Sequence, residues 1–70
     1  KKEVGMSPME YLMTIRIKES KILLRTTNYS ISQVADIVGF TTPTYFSKQF
    51  RKITGISPTD YREKYQKESQ

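Results

Sequence analysis

Residues 30–54 read SISQVADIVGFTTPTYFSKQFRKIT, and the reading of this stretch decides the fold. Ile31, Val34, Ala35 and Val38 fall at i, i+3, i+4 and i+7, which makes one apolar face of a short helix. Ser30 is its N-cap, and Gln33 stands where it can complete a capping box. Tyr29 and Val34 have the spacing of a hydrophobic staple. Gly39 stops this helix. Phe40 and Thr41 make a very short turn before Thr42, the next cap, and Pro43 takes the first helical position, where its missing N–H costs nothing. The helix that follows, to about Thr54, is expected to bury Phe46, Phe50 and Ile53. At about 100° per residue, Thr44, Lys48 and Arg51 then project to the opposite side, flanked by Ser47 and Lys52.

A short helix with a small residue four positions before a turn glycine, a tight turn, and a helix with one apolar and one basic face is a helix-turn-helix pattern. Ala35 lets the two helices cross closely, and Gly39 supplies the turn conformation. Residues 42–54 contain Lys48, Arg51 and Lys52 and no acid, so that face can approach phosphates without repulsion. Thr44, Ser47 and Lys48 lie in the N-terminal half, the part of a recognition helix that reaches base edges.

Outward from this unit the sequence repeats itself: GMSPMEY at 5–11 returns as GISPTDY at 55–61. Both copies are helix punctuation. Gly5 and Gly55 stop one helix, Ser7 and Ser57 cap the next, and Pro8 and Pro58 open it. Glu10 and Asp60 sit at the third helical position, and Met6 with Tyr11, like Ile56 with Tyr61, has staple spacing. Since RKIT at 51–54 ends a helix before Gly55, KKEV at 1–4 is expected to end an equivalent helix before Gly5.

The first full helix is predicted over about 8–25. It carries two apolar stripes: Tyr11, Leu12, Ile15, Ile22 and Leu23 in one, Met13, Ile17 and Leu24 in the other. Two stripes imply packing on both sides, and Met9, Met13 and Ile17 are expected to face a preceding unit. Residues 26–28 read as loop. A fourth helix from Pro58 is polar after Tyr61 and Tyr65, with Lys64, Lys67 and Glu68 as a solvated tail that frays. No stretch reads as a strand, so the expectation is an all-α bundle of about four helices.

Composition narrows function by exclusion. Among 70 residues there is neither cysteine nor histidine, so disulfides and thiolate metal sites are absent and the commonest general base is missing. The seven acids are scattered with no metal-ligand spacing, and the expectation is a protein without cofactor, metal or enzymatic activity. The longest apolar runs are three residues, such as ILL at 22–24, far short of a membrane-spanning helix. The charged start has no apolar core of a signal peptide. Twelve Lys+Arg against seven Asp+Glu give a net charge of +5, a balance that suits a polyanionic partner.

Residues 5–62, more than four-fifths of the chain, closely resemble the DNA-binding domain of the AraC/XylS family of bacterial transcription activators. The matching residues are GMSPMEYL with Arg16 and LL at 23–24, SISQVADIVGF at 30–40, and YFSKQFRKITGISPTDYR at 45–62. The family fold has two helix-turn-helix units joined by a long helix. The resemblance therefore implies that residues 1–6 are the tail of a first unit, 7–28 the linker helix and loop, 29–54 the second helix-turn-helix, and 55–70 the C-terminal helix.

It further implies sequence-specific binding of double-stranded DNA in a cytoplasmic transcription regulator, with 42–54 in the major groove. Bases would be read by Pro43, Thr44, Ser47 and Lys48. Phosphates would be met by Ser30 and Ile31 through backbone amides, by Thr42, and by Arg51 and Lys52. Pro43 departs from members with a hydrogen-bonding side chain there, and offers only apolar contact, as to a thymine methyl. Arg16 matches the family's linker-helix arginine, for which a structural role is expected. RNA polymerase is a further partner the family implies, and a polymerase-contacting module with backbone-only DNA contacts is the alternative reading. A sensor or regulatory domain is expected to precede this one in the full-length protein.

Overall fold

The computed structural model describes residues 7–68, and these form four helices with no strand among them. They are α1 (Pro8–Thr26), α2 (Ile31–Ile37), α3 (Pro43–Thr54) and α4 (Pro58–Glu68). The expectations for residues 1–4, Gly5 and Met6, and for the side chains of Lys67 and Glu68, lie outside what is described.

The helix starts are where the punctuation places them. The Glu10 amide donates to Ser7 Oγ at 3.2 Å, and the Ser7 amide donates to Glu10 Oε1 at 3.0 Å. Ser30 and Gln33 form the same reciprocal box at 3.0 and 2.8 Å. Thr42 and Ser57 each accept one amide, from Tyr45 and from Asp60, both at 3.1 Å. Each such cap is worth about 1 kcal/mol. At the other ends, Gly39 and Gly55 take φ of 99° and 89°, a region that side chains with a Cβ disfavour.

The core joins all four helices. Ile17 and Leu24 of α1, Val34 and Ala35 of α2, Val38 and Phe40 of the turn, and Phe46 and Phe50 of α3 are buried. Ring centroids run in a ladder, 5.1 Å from Phe40 to Phe46, 5.7 Å to Phe50, 5.5 Å to Tyr61 and 4.5 Å to Tyr65. Each well-packed aromatic pair adds roughly 0.5–1.5 kcal/mol beyond its area. Ser20 is fully buried, and its hydroxyl donates to the Ile17 carbonyl at 2.6 Å, which leaves no unpaired donor.

Four sequence expectations need correction. Ile17 is buried in the core rather than facing a preceding unit, and Met13, half-buried, packs beside it. Tyr11, Leu12, Ile15 and Ile22, on the opposite side of α1, are the exposed stripe, together with Met9. Leu23, grouped with that stripe, packs on the core. Phe40, read as a turn residue, is 6% exposed and opens the aromatic ladder. Ile53 is exposed, because α4 leaves α3 at Gly55 and lies chiefly on α1.

The fourth helix is also better anchored than its polarity suggests. Arg62 Nε donates to the Leu24 carbonyl at 3.2 Å, and Gln66 Nε2 donates to the Leu24 and Thr27 carbonyls at 3.2 and 2.8 Å. These side chains satisfy carbonyls that the end of α1 leaves without helical partners. A cation there also complements the negative end of the helix dipole.

Candidate nucleic-acid interface

The apolar stripe of α3 fixes which way its other residues point. With Phe46 and Phe50 buried, Pro43, Thr44, Lys48, Arg51 and Lys52 are exposed and Ser47 is half-buried at the edge. Thr44 and Lys48 lie one turn apart on the crest of the helix, opposite the core. Tyr45 is 44% exposed, yet its ring centroid is 5.8 Å from that of Phe40. It belongs to the border of the core.

Two shallow depressions flank the crest. Ser47, Lys48, Arg51 and Lys52 line one together with Ser57, at the start of α4. The other lies between α2 and the start of α3, walled by Ser32, Gln33, Asp36, Thr41 and Pro43. Of the sequence candidates, Ser47, Lys48, Arg51 and Lys52 line the first depression and Pro43 the second, while Ser30, Ile31, Thr42 and Thr44 line neither.

Ser30 and Ile31 stand at the start of α2, but they are not equivalent. The Ser30 amide is already held by Gln33 Oε1. The amides of Ile31 and Ser32 are the donors of that first turn not used by the capping box. Thr42 keeps its hydroxyl on the Tyr45 amide, and its first duty is the cap.

Sequence reasoning missed Ser32, Thr41 and Ser57 as lining residues, and missed Asp36 as the one acid in either depression. A serine directly after a capped helix start was the signal available for Ser32. Asp36 carried none, since its position depends on how α2 crosses α3. Arg16 lies away from the crest, with its guanidinium against the Gly39 turn. Among the described residues no group of three or more acidic, histidine or cysteine side chains is placed to hold a metal, and no helix is long and apolar enough to cross a membrane.

Comparison with known proteins bears on the family and the fold. Residues 1–64 match a family described as a helix-turn-helix domain. The uncharacterised helix-turn-helix transcriptional regulator YisR of Bacillus subtilis is 46% identical over 59 residues, which cover 84% of this chain and 21% of YisR. The transcriptional activator RhaR of Yersinia pseudotuberculosis is 38% identical over 65 residues, covering 93% of this chain and 22% of RhaR. The chain therefore spans about a fifth of the length of these relatives.

Two solved structures superpose closely. The DNA-binding domain of AdpA, a global transcriptional factor crystallised with a target DNA, gives a TM-score of 0.87 at 35% identity, covering 93% of this chain and 59% of that one. The C-terminal domain of the two-component response regulator yesN from Fusobacterium nucleatum gives 0.81 at 37% identity, covering 84% and 57%.

Proposed function

The chain belongs to the AraC/XylS family of helix-turn-helix transcription regulators, and from that premise we propose that it binds double-stranded DNA sequence-specifically through α3. The observation that carries this reading is the exposed crest of α3, which is basic, free of acids, and rigidly backed by Phe46 and Phe50. A helix of this kind fits a major groove, with its N-terminal residues toward base edges.

Pro43, Thr44, Ser47 and Lys48 are the base-reading candidates. Lys48 can donate to guanine, Thr44 and Ser47 can hydrogen-bond either way, and Pro43 offers apolar contact. Arg51 and Lys52 meet phosphates beside the groove, and the Ile31 and Ser32 amides, with Ser30 and Thr42, are the further phosphate candidates. Asp36 in that depression disfavours a phosphate immediately against it. About three to five phosphates are within reach, which places this chain alone near the non-specific range, on the order of 10⁻⁴–10⁻⁶ M.

In this reading residues 7–28 are the linker helix and loop, 29–54 the reading unit and 55–70 a brace. The whole protein, several times longer if it resembles its relatives, carries a regulatory segment and acts on transcription, with RNA polymerase as a further partner. A site of action on cytoplasmic DNA follows from that role.

The test is salt-dependent binding to a random-sequence duplex pool, followed by sequencing of what is retained. Enrichment of a short motif that Thr44→Ala or Lys48→Ala erases supports base reading by α3. Binding that falls with salt and enriches nothing refutes it, leaving a domain that only grips the backbone.

A further inference from the structure

The tight turn of the helix-turn-helix is held from two sides. On one side the Phe40 ring packs 5.1 Å from Phe46. On the other lies Arg16, a half-buried residue of α1. A Cβ added to Gly39 would stand 3.2 Å from Arg16 Cζ, 3.2 Å from Nε and 3.4 Å from Nη2. Near-equal distances to three atoms of one planar group mean that the guanidinium lies flat toward the face of Gly39. Gly39 is favoured by its φ of 99°, and a Cβ there would press on the Arg16 guanidinium, which would have to give by a few tenths of an ångström.

We infer that Arg16 is a positioning residue for α3: its guanidinium, laid over Gly39, sets the angle at which the recognition helix leaves the turn. Three observations make the contact more than a solvated cation at rest. The turn is tightly wound, with the Gly39 amide on the Asp36 carbonyl at 3.2 Å and the Phe40 amide on the Ala35 carbonyl at 2.9 Å. It closes the C-terminal end of α2, where a cation is favoured by the helix dipole. And the group is planar, so it can lie face-on against a glycine where a hydrated ammonium cannot. Through this contact the long helix α1 constrains where Thr44 and Lys48 point. The DNA consequence rests on the reading proposed above; the contact itself does not.

The test combines Arg16→Ala, Arg16→Lys, Gly39→Ala and the double variant Arg16→Ala/Gly39→Ala. In urea unfolding, the loss in folding equilibrium caused by Gly39→Ala should be smaller by about three-fold or more in the Arg16→Ala background. Losses that simply multiply overturn the inference. Should Gly39→Ala not fold, the two Arg16 variants decide by amide NMR: shifts concentrated in residues 39–48 are expected, and unchanged resonances there overturn it.

On DNA, folded Arg16→Ala and Arg16→Lys should both lose about ten-fold of the preference for the selected motif while keeping the salt slope, since no phosphate contact is removed. A slope reduced by about one would instead make Arg16 a phosphate contact, and would overturn the positioning role. If the unmodified chain enriches no motif, the DNA reading fails, while the unfolding cycle and the NMR shifts still judge Arg16.

Discussion

Helices α1 and α3 are both apolar on one side, and only α3 is polar on the other. Phe46 and Phe50 go inward and Thr44, Lys48, Arg51 and Lys52 go outward, so its orientation follows from one stripe. In α1 the buried stripe of Ile17, Ser20 and Leu24 is opposed by exposed Tyr11, Ile15 and Ile22. Either stripe could have served as the inner one by hydrophobicity alone. What selects it is fit: the narrower set with a small serine at its centre admits α2, α3 and α4 closely. A stripe of large side chains is therefore not by itself evidence of burial.

The sharpest way to break this contrast is to truncate matched residues on the two sides. Phe50→Ala removes a fully buried ring from α3 and should cost about 3–5 kcal/mol, enough to unfold a domain this small. Circular dichroism against urea reads it directly. Ile17→Ala on the buried side of α1 should cost about 2–5 kcal/mol, whereas Ile15→Ala on its exposed side should stay within roughly 0.5 kcal/mol. Equal costs for the two isoleucines would mean that α1 is turned the other way.

Smaller effects sharpen the picture at the helix ends. Replacing Gln66 by Ala removes two donors from the carbonyls at the end of α1 and should cost about 1–2 kcal/mol. A solvated, frayed tail would show no change in the urea midpoint. Ser30→Ala breaks a capping box and should cost about 1 kcal/mol, with hydrogen exchange quickened first at the start of α2. Arg51→Ala, at the outer face of α3, should leave the urea midpoint within about 0.5 kcal/mol. Its signature is electrostatic: a salt slope of DNA binding lower by about one, uniformly across sequences.

These contrasts also mark how much of the molecule was legible beforehand. All four helices and their start signals were readable, because Ser7, Ser30, Thr42 and Ser57 act over three residues and depend on nothing distant. The crest of α3 was readable for a similar reason, since a single apolar stripe implies its own opposite face. Phe40 was not, because a residue between two helices has no period to declare its burial. The anchoring by Arg62 and Gln66 was not legible, since their acceptors are carbonyls 35–42 positions away. Nothing local in a polar helix announces such partners.

For the interface the same division holds. Local chemistry named Thr44, Ser47, Lys48, Arg51 and Lys52, and a family resemblance added Ser30, Ile31, Thr42 and Pro43. Only the crossing of α2 and α3 set Ser32, Thr41 and Asp36 around one depression, and only the turn of the chain at Gly55 brought Ser57 beside Arg51. Sequence determined where each helix begins, where it stops and which face of α3 is basic, because these depend on neighbours a few residues away. Tertiary packing decided which side of α1 is buried, what braces its end and what lies over Gly39, because these depend on which surfaces fit together across the whole chain.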